Sequence, residues 1–84
     1  MMKPTIHNNG TSRQELLDQV LEAAHRIEDA ISALAKAVPN GRDYYPQGPD
    51  AIKTAVAEHS ERIAKLGEVL DDMRALSMHI CDAS

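Results

Sequence analysis

The residues best suited to chemistry stand in one short segment, Arg42-Asp43-Tyr44-Tyr45, which contains both aromatic residues of the chain. Two tyrosine rings can stack on a planar group such as a nucleobase, and a guanidinium can bind phosphate through a bidentate fork. Lys53 follows at the start of a predicted helix, whose N-terminus adds positive potential. We therefore predict a ligand-binding site that includes Arg42, Tyr44, Tyr45 and Lys53. The alternative is that the tyrosines cap the end of a helical bundle and that Arg42 pairs with Asp43 or a helix terminus.

A fifth candidate, His59, falls within an apolar series between Val56 and Ile63. Its ring can face a ligand, or it can act as a pH-sensitive group at an interface. A polar residue at such a core position also fixes helix register or oligomeric state, and we favour this structural interpretation. His59 is thus a ligand-binding candidate with a structural alternative.

No metal site, cofactor or catalytic group is predicted from the remaining residues. No two of His25, His59, His79, Cys81 and Asp82 have an His-x₃-His or Cys-x₂-Cys spacing on one helical face. The chain also lacks a glycine-rich phosphate loop and a recognisable nucleophile–base pair. We expect a protein that is not an enzyme.

The elements that hold these residues are predicted from two apolar series. The first helix, about residues 12–38, begins with a capping box at Thr11 or Ser12 and ends at Pro39. Its apolar positions recur every three or four residues, at Leu17, Val20, Ala24, Ile27, Ile31, Leu34 and Val38. The second helix, about residues 50–81, carries the series Ile52, Val56, His59, Ile63, Leu66, Leu70, Met73, Ser77 and Ile80.

These series predict an all-α fold, an antiparallel helical hairpin of two long amphipathic helices joined by a loop over residues 39–49. Further Leu and Ala residues widen both apolar faces beyond what two helices can bury against each other. We therefore expect the hairpins to assemble into a homo-oligomeric helical bundle. Residues 1–10 lack periodicity and are predicted to form a flexible N-terminal arm, so that residues 11–84 make up the single domain.

Composition narrows the possible partners and the location. Asp and Glu outnumber Lys and Arg by 13 to 9, which argues against binding to duplex nucleic acid. The single cysteine permits no internal disulfide, and no apolar run is long enough to cross a bilayer. We expect a protein that does not bind membranes and that resides in the cytoplasm, which would be the host cytoplasm if a phage encodes it.

The segment Asn40-Gly41-Arg42-Asp43-Tyr44-Tyr45-Pro46-Gln47-Gly48 is the most specific part of a wider pattern that continues with Ala55, Glu58-His59, Arg62 and Leu66. Over about residues 38–80, the chain resembles a group of small phage and prophage proteins of proteobacteria, for which no activity is established. The resemblance implies an accessory protein that acts by binding. By analogy with other small phage proteins, we expect a counter-defence factor that sequesters a nucleotide signal or inhibits a host protein through the Arg42–Tyr45 loop. The alternative is a structural or adaptor protein that mediates protein–protein assembly without a small-molecule ligand.

Overall fold

A computed structural model describes residues 1–83. Helix α1 spans Arg13–Lys36 and helix α2 spans Ala51–Asp82, and two short 3₁₀ turns, Gly41–Asp43 and Tyr45–Gln47, lie between them. No strand occurs within these residues. The predicted all-helical hairpin is confirmed, whereas its assembly into an oligomer stays a prediction. Ser84, which belongs to the predicted domain, lies outside the described residues.

Helix α1 begins at one of the two predicted caps. The Ser12 hydroxyl accepts a hydrogen bond from the Glu15 amide at 3.2 Å, which satisfies one of the free N–H groups of the first turn. The helix ends at Lys36, and Val38 lies beyond it with 53% of its surface exposed. The helix is thus two residues shorter at this end than the predicted range of about 12–38, and Val38 does not continue the apolar series. Because Pro39 disfavours the α region for the residue before it, the helical conformation is lost before Val38.

The two helices run antiparallel and pack along the predicted apolar series. Leu34 near the end of α1 is bonded to His59, and Glu28 earlier in α1 contacts Arg74 later in α2. Buried residues are nonetheless few among those described, namely Ala24, His59, Leu70 and Ile80, and of these only Ile80 is fully buried. The rest of both series is half-buried, apart from Val38 and Val56, which are exposed, so the contact between the helices leaves much of each apolar face accessible to solvent.

The predicted apolar series of α2 is wrong at one position, Val56. Val56 is 37% exposed, whereas its neighbour Ala55 is half-buried. Ala55 stands four residues before His59 and three after Ile52, so it continues the same periodic ridge as well as Val56 does. The larger side chain favours Val56 in the sequence, but in the structure Ala55 is the less exposed of the two.

The hairpin is long and thin. Its principal dimensions are 61 × 20 × 17 Å and its radius of gyration is 18.6 Å. A compact chain of this length would have a radius of gyration of about 12 Å. At 1.5 Å per residue, α1 is about 36 Å long and α2 about 48 Å long. Because His59 meets Leu34 two residues before the end of α1, the first turn of α2 and the 3₁₀ turns extend past that end.

The N-terminal arm lies against the other end of α2. The carbonyl of Pro4 accepts a hydrogen bond from Nε2 of His79 at 2.8 Å, and Pro4 and Ile6 are half-buried. The Gly10 amide donates to the carbonyl of His7, which forms a turn just before α1. Lys3 and Pro4 thus lie beside the last turns of α2, and the predicted flexibility of residues 1–10 stays a prediction.

Neither described helix combines the length and the apolar character that crossing a membrane would require.

Candidate functional site

The connector between the helices has an ordered backbone. The side-chain oxygen of Asn40 accepts a hydrogen bond from the Arg42 amide at 3.0 Å, and the Asp43 and Tyr44 amides donate to the carbonyls of Asn40 and Gly41. The second turn repeats this pattern, with the Gln47 amide bonded to the Tyr44 carbonyl at 2.9 Å. Asparagine is suited to such a turn because its short side chain bonds to the backbone two residues on. The loop therefore presents its side chains from a fixed frame.

Gly48 makes the reversal into α2 possible. Its φ is +108°, a conformation that a residue with a Cβ rarely adopts. Its carbonyl accepts a hydrogen bond from the Ala51 amide at 3.3 Å, and α2 begins at that residue. The second 3₁₀ turn then packs against α2, which fixes the orientation of the loop relative to the helix.

The two tyrosines have different environments. Tyr44 is half-buried, whereas Tyr45 is 78% exposed. Tyr44 therefore matches the capping role that the sequence left open, and Tyr45 offers an aromatic surface to a partner. Arg42 is also exposed, and no carboxylate among residues 1–83 lies within ion-pair distance of it. Its guanidinium is available to an external anion.

Lys53 is exposed in the first turn of α2, close in sequence to the loop. The cap residue Asp50 makes no side-chain hydrogen bond to the helix, so the positive end of α2 is not neutralised by a capping side chain. Arg42 and Lys53 thus lie near the start of α2 together with the exposed carboxylates Asp43 and Asp50, so the region has no net side-chain charge.

His59 is separated from this region. Its ring is 6% exposed, and Nε2 lies 2.6 Å from the carbonyl oxygen of Leu34. His59 follows Lys53 by six residues, which corresponds to about 9 Å along the axis and about 120° around it. The five predicted residues therefore do not form one cluster. Arg42, Tyr44 and Tyr45 share the loop, Lys53 stands beside it, and His59 packs between the helices.

A second feature was not anticipated from the sequence. The arm and the end of α2 enclose an open cleft of about 360 Å³, lined by Lys3, Ala75, Met78, His79 and Asp82. The only sequence signal for it was the pair of apolar residues Pro4 and Ile6 in an otherwise polar arm. Within residues 1–83, no three His, Cys, Asp or Glu side chains are arranged to hold a metal ion, either here or at the loop.

Comparison of the chain with protein-family models, with curated proteins and with solved structures finds no match. The resemblance to small phage proteins stays a prediction.

Proposed function

We propose that this chain is a non-catalytic binding protein, a self-associating helical hairpin that contacts a partner protein through Arg42 and Tyr45. The observation that carries the proposal is the accessible surface of the hairpin, 6219 Å² for 9.2 kDa. A compact monomer of this mass would expose about 4,900 Å². The additional accessible surface is consistent with a chain that buries its apolar faces against other proteins.

The form of the loop favours a protein partner over a small molecule. Sites for small molecules are concave and enclose most of the ligand surface. Tyr45 instead projects from the end of a thin hairpin with 78% of its surface exposed. Tyrosine and arginine are the side chains that most often dominate the affinity of protein–protein contacts. The resemblance to phage proteins makes a host protein the expected partner.

A direct test is chemical cross-linking of the purified protein in a proteobacterial host lysate. Arg42→Ala and Tyr45→Ala should remove a specific cross-linked species while helicity remains unchanged. Arg26→Ala is the matched control, because Arg26 is exposed on α1 and, among residues 1–83, forms an ion pair with Glu22 alone, on the same helix face. A species that persists in both loop variants, or disappears in the control, would refute the loop as the contact.

The nucleotide-sequestering form of the hypothesis has its own test. A panel of linear and cyclic nucleotides should leave the melting temperature of the wild-type protein unchanged. A nucleotide that raises the melting temperature of the wild type, but not of Arg42→Ala or Tyr45→Ala, would show that the loop binds a small anionic ligand. The proposal of a protein partner would then be abandoned.

A further inference from the structure

The N-terminal arm lies on a face of α2 that is otherwise exposed to solvent. At about 100° per residue, Ala64 and Ala75 lie within about 20° of each other around α2, and Glu61 and His79 lie at the same angle as each other. Ala64 and Glu61 are exposed, whereas Ala75 and His79 are half-buried. The two half-buried residues are those that line the cleft together with Lys3. The arm therefore covers this face at the end of α2.

The burial pattern of the arm is that of an extended chain with one side against the protein. Pro4 and Ile6 are half-buried, whereas Lys3, Thr5 and His7 are exposed. Residues two apart point to the same side of an extended chain, so the two apolar residues face inward together. Pro4 also restricts the residue before it to extended conformations, which reduces the conformational entropy that the arm loses on docking.

Ile80 is buried more completely than its position on α2 would suggest. Val69 lies within about 20° of Ile80 around the helix, yet Val69 is 44% exposed and Ile80 is 0% exposed. Helix α1 extends beside both residues, so contact with α1 does not by itself distinguish them. The arm is close to Ile80 and remote from Val69, because it bonds to His79. Ile80 and His79 lie about 100° apart around α2, so the arm wraps around the end of the helix.

One hydrogen bond fastens the arm to the helix. Nε2 of His79 donates to the carbonyl oxygen of Pro4 at 2.8 Å, across 75 residues of chain. A carbonyl oxygen can only accept, so the proton of this bond lies on Nε2. Among residues 1–83, this is the only hydrogen bond that joins residues 1–10 to a helix, since the Gly10 amide bonds within the arm to the carbonyl of His7. The attachment of the arm thus depends on His79 and on the two inward-facing apolar residues.

We infer that residues 3–6 form a clasp over the last turns of α2, that His79 is its latch, and that the clasp opens and closes while the hairpin stays folded. One long-range hydrogen bond and two half-buried side chains hold the arm, whereas α1 and α2 pack along their apolar series. Segments with few buried contacts open locally at a lower cost than unfolding of the whole chain. Opening uncovers Ile80 at the end of the hairpin. The clasp is remote from Arg42 and Tyr45, so this inference is independent of the contact proposed for the loop.

The test measures amide hydrogen exchange by mass spectrometry in the last turns of α2, residues 76–82, and in the loop, residues 39–49. His79→Ala should raise the exchange rate of residues 76–82 by about two- to tenfold, the effect of losing one hydrogen bond on the opening equilibrium, and should leave the loop unchanged. Alanine is a better helix former than histidine, so a change in helix propensity alone would slow this exchange. His79→Gln retains a side-chain N–H donor and should exchange more slowly than His79→Ala. His25→Ala, at an exposed histidine of α1, is the matched control and should behave as the wild type.

A second pair of variants tests the clasp from the arm, without any change to α2. Ile6→Ser should also raise the exchange rate of residues 76–82, whereas Thr5→Ser, at the exposed position beside it, should not. Exchange that is unchanged in both His79→Ala and Ile6→Ser would overturn the clasp. Equal acceleration in residues 76–82 and in the loop would overturn it as well, because the arm would then open only when the whole hairpin unfolds.

Discussion

Nε2 of His59 donates a hydrogen bond to the carbonyl oxygen of Leu34, and this bond joins the two helices at the end of α1. A carbonyl can only accept, so the proton of this bond lies on Nε2. The same carbonyl accepts from the Ala37 amide at 2.9 Å, where α1 ends. Because the last carbonyls of a helix lack partners within it, a donor from α2 at this point both caps α1 and sets its register against α2.

His59 is therefore predicted to contribute to stability chiefly by filling space and fixing register. His59→Ala should lower the free energy of unfolding by about 2–3 kcal/mol, because it leaves a cavity and removes a hydrogen bond. His59→Leu should cost at most about 1 kcal/mol, since it refills the space and the Leu34 carbonyl keeps its bond to Ala37. Urea unfolding at one protomer concentration measures both. Equal losses of unfolding free energy in the two variants would contradict the prediction that His59 stabilises the hairpin chiefly by filling space.

The start of α1 gives a second prediction, which separates the two capping registers that the sequence allowed. Ser12→Ala should lower the free energy of unfolding by about 1 kcal/mol, because the Glu15 amide loses its acceptor. Thr11→Ala is the control and should change it by less than about 0.5 kcal/mol. Thermal unfolding of the two variants under identical conditions would decide between them. A larger effect for Thr11→Ala would move the helix start by one residue.

Much of the hairpin could be predicted because helix periodicity and turn residues are local signals. The apolar series from Leu17 to Leu34 and from Ile52 to Ile80 identified both helices, and Pro39 and Gly48 delimited the connector. The choice between Val56 and Ala55, and the contact of Pro4 with His79, depends on tertiary packing, which a local pattern does not contain.

The candidate site was predictable only as a segment of the chain. The concentration of both tyrosines in the loop identified it, but nothing in the spacing distinguished the exposed Tyr45 from the half-buried Tyr44. For His59 the sequence favours a register-fixing role in the apolar series over a ligand-binding one, and the ring is buried between the helices. Its place between the helices follows from its reach to a specific carbonyl on α1, which is a relation across 25 residues of chain.

Two loop glycines provide a third prediction with an internal control. Gly48→Ala should lower the free energy of unfolding by about 1 kcal/mol or more, because its φ of +108° is strained for a residue with a Cβ. Gly41→Ala should be within about 0.5 kcal/mol of the wild type, since its φ is not positive and a Cβ there meets nothing within 4 Å. Chemical denaturation followed by circular dichroism would measure the difference. Comparable destabilisation by both variants would show that the φ of Gly48 is not the cause.

Gly67 lies in the interior of α2, where glycine weakens a helix. A Cβ at this position would meet nothing within 4 Å, so alanine can be accommodated without displacing a neighbour. Gly67→Ala should therefore raise the free energy of unfolding by about 0.5–1 kcal/mol, because alanine loses less backbone entropy on folding. Ala64→Gly, at an exposed position one turn earlier, is the reciprocal control and should lower it by a similar amount. Both are measured by urea unfolding at a fixed protomer concentration, since self-association would itself shift the midpoint. If Gly67→Ala destabilises the protein while Ala64→Gly behaves as expected, the space at Gly67 is not open in solution and the prediction fails.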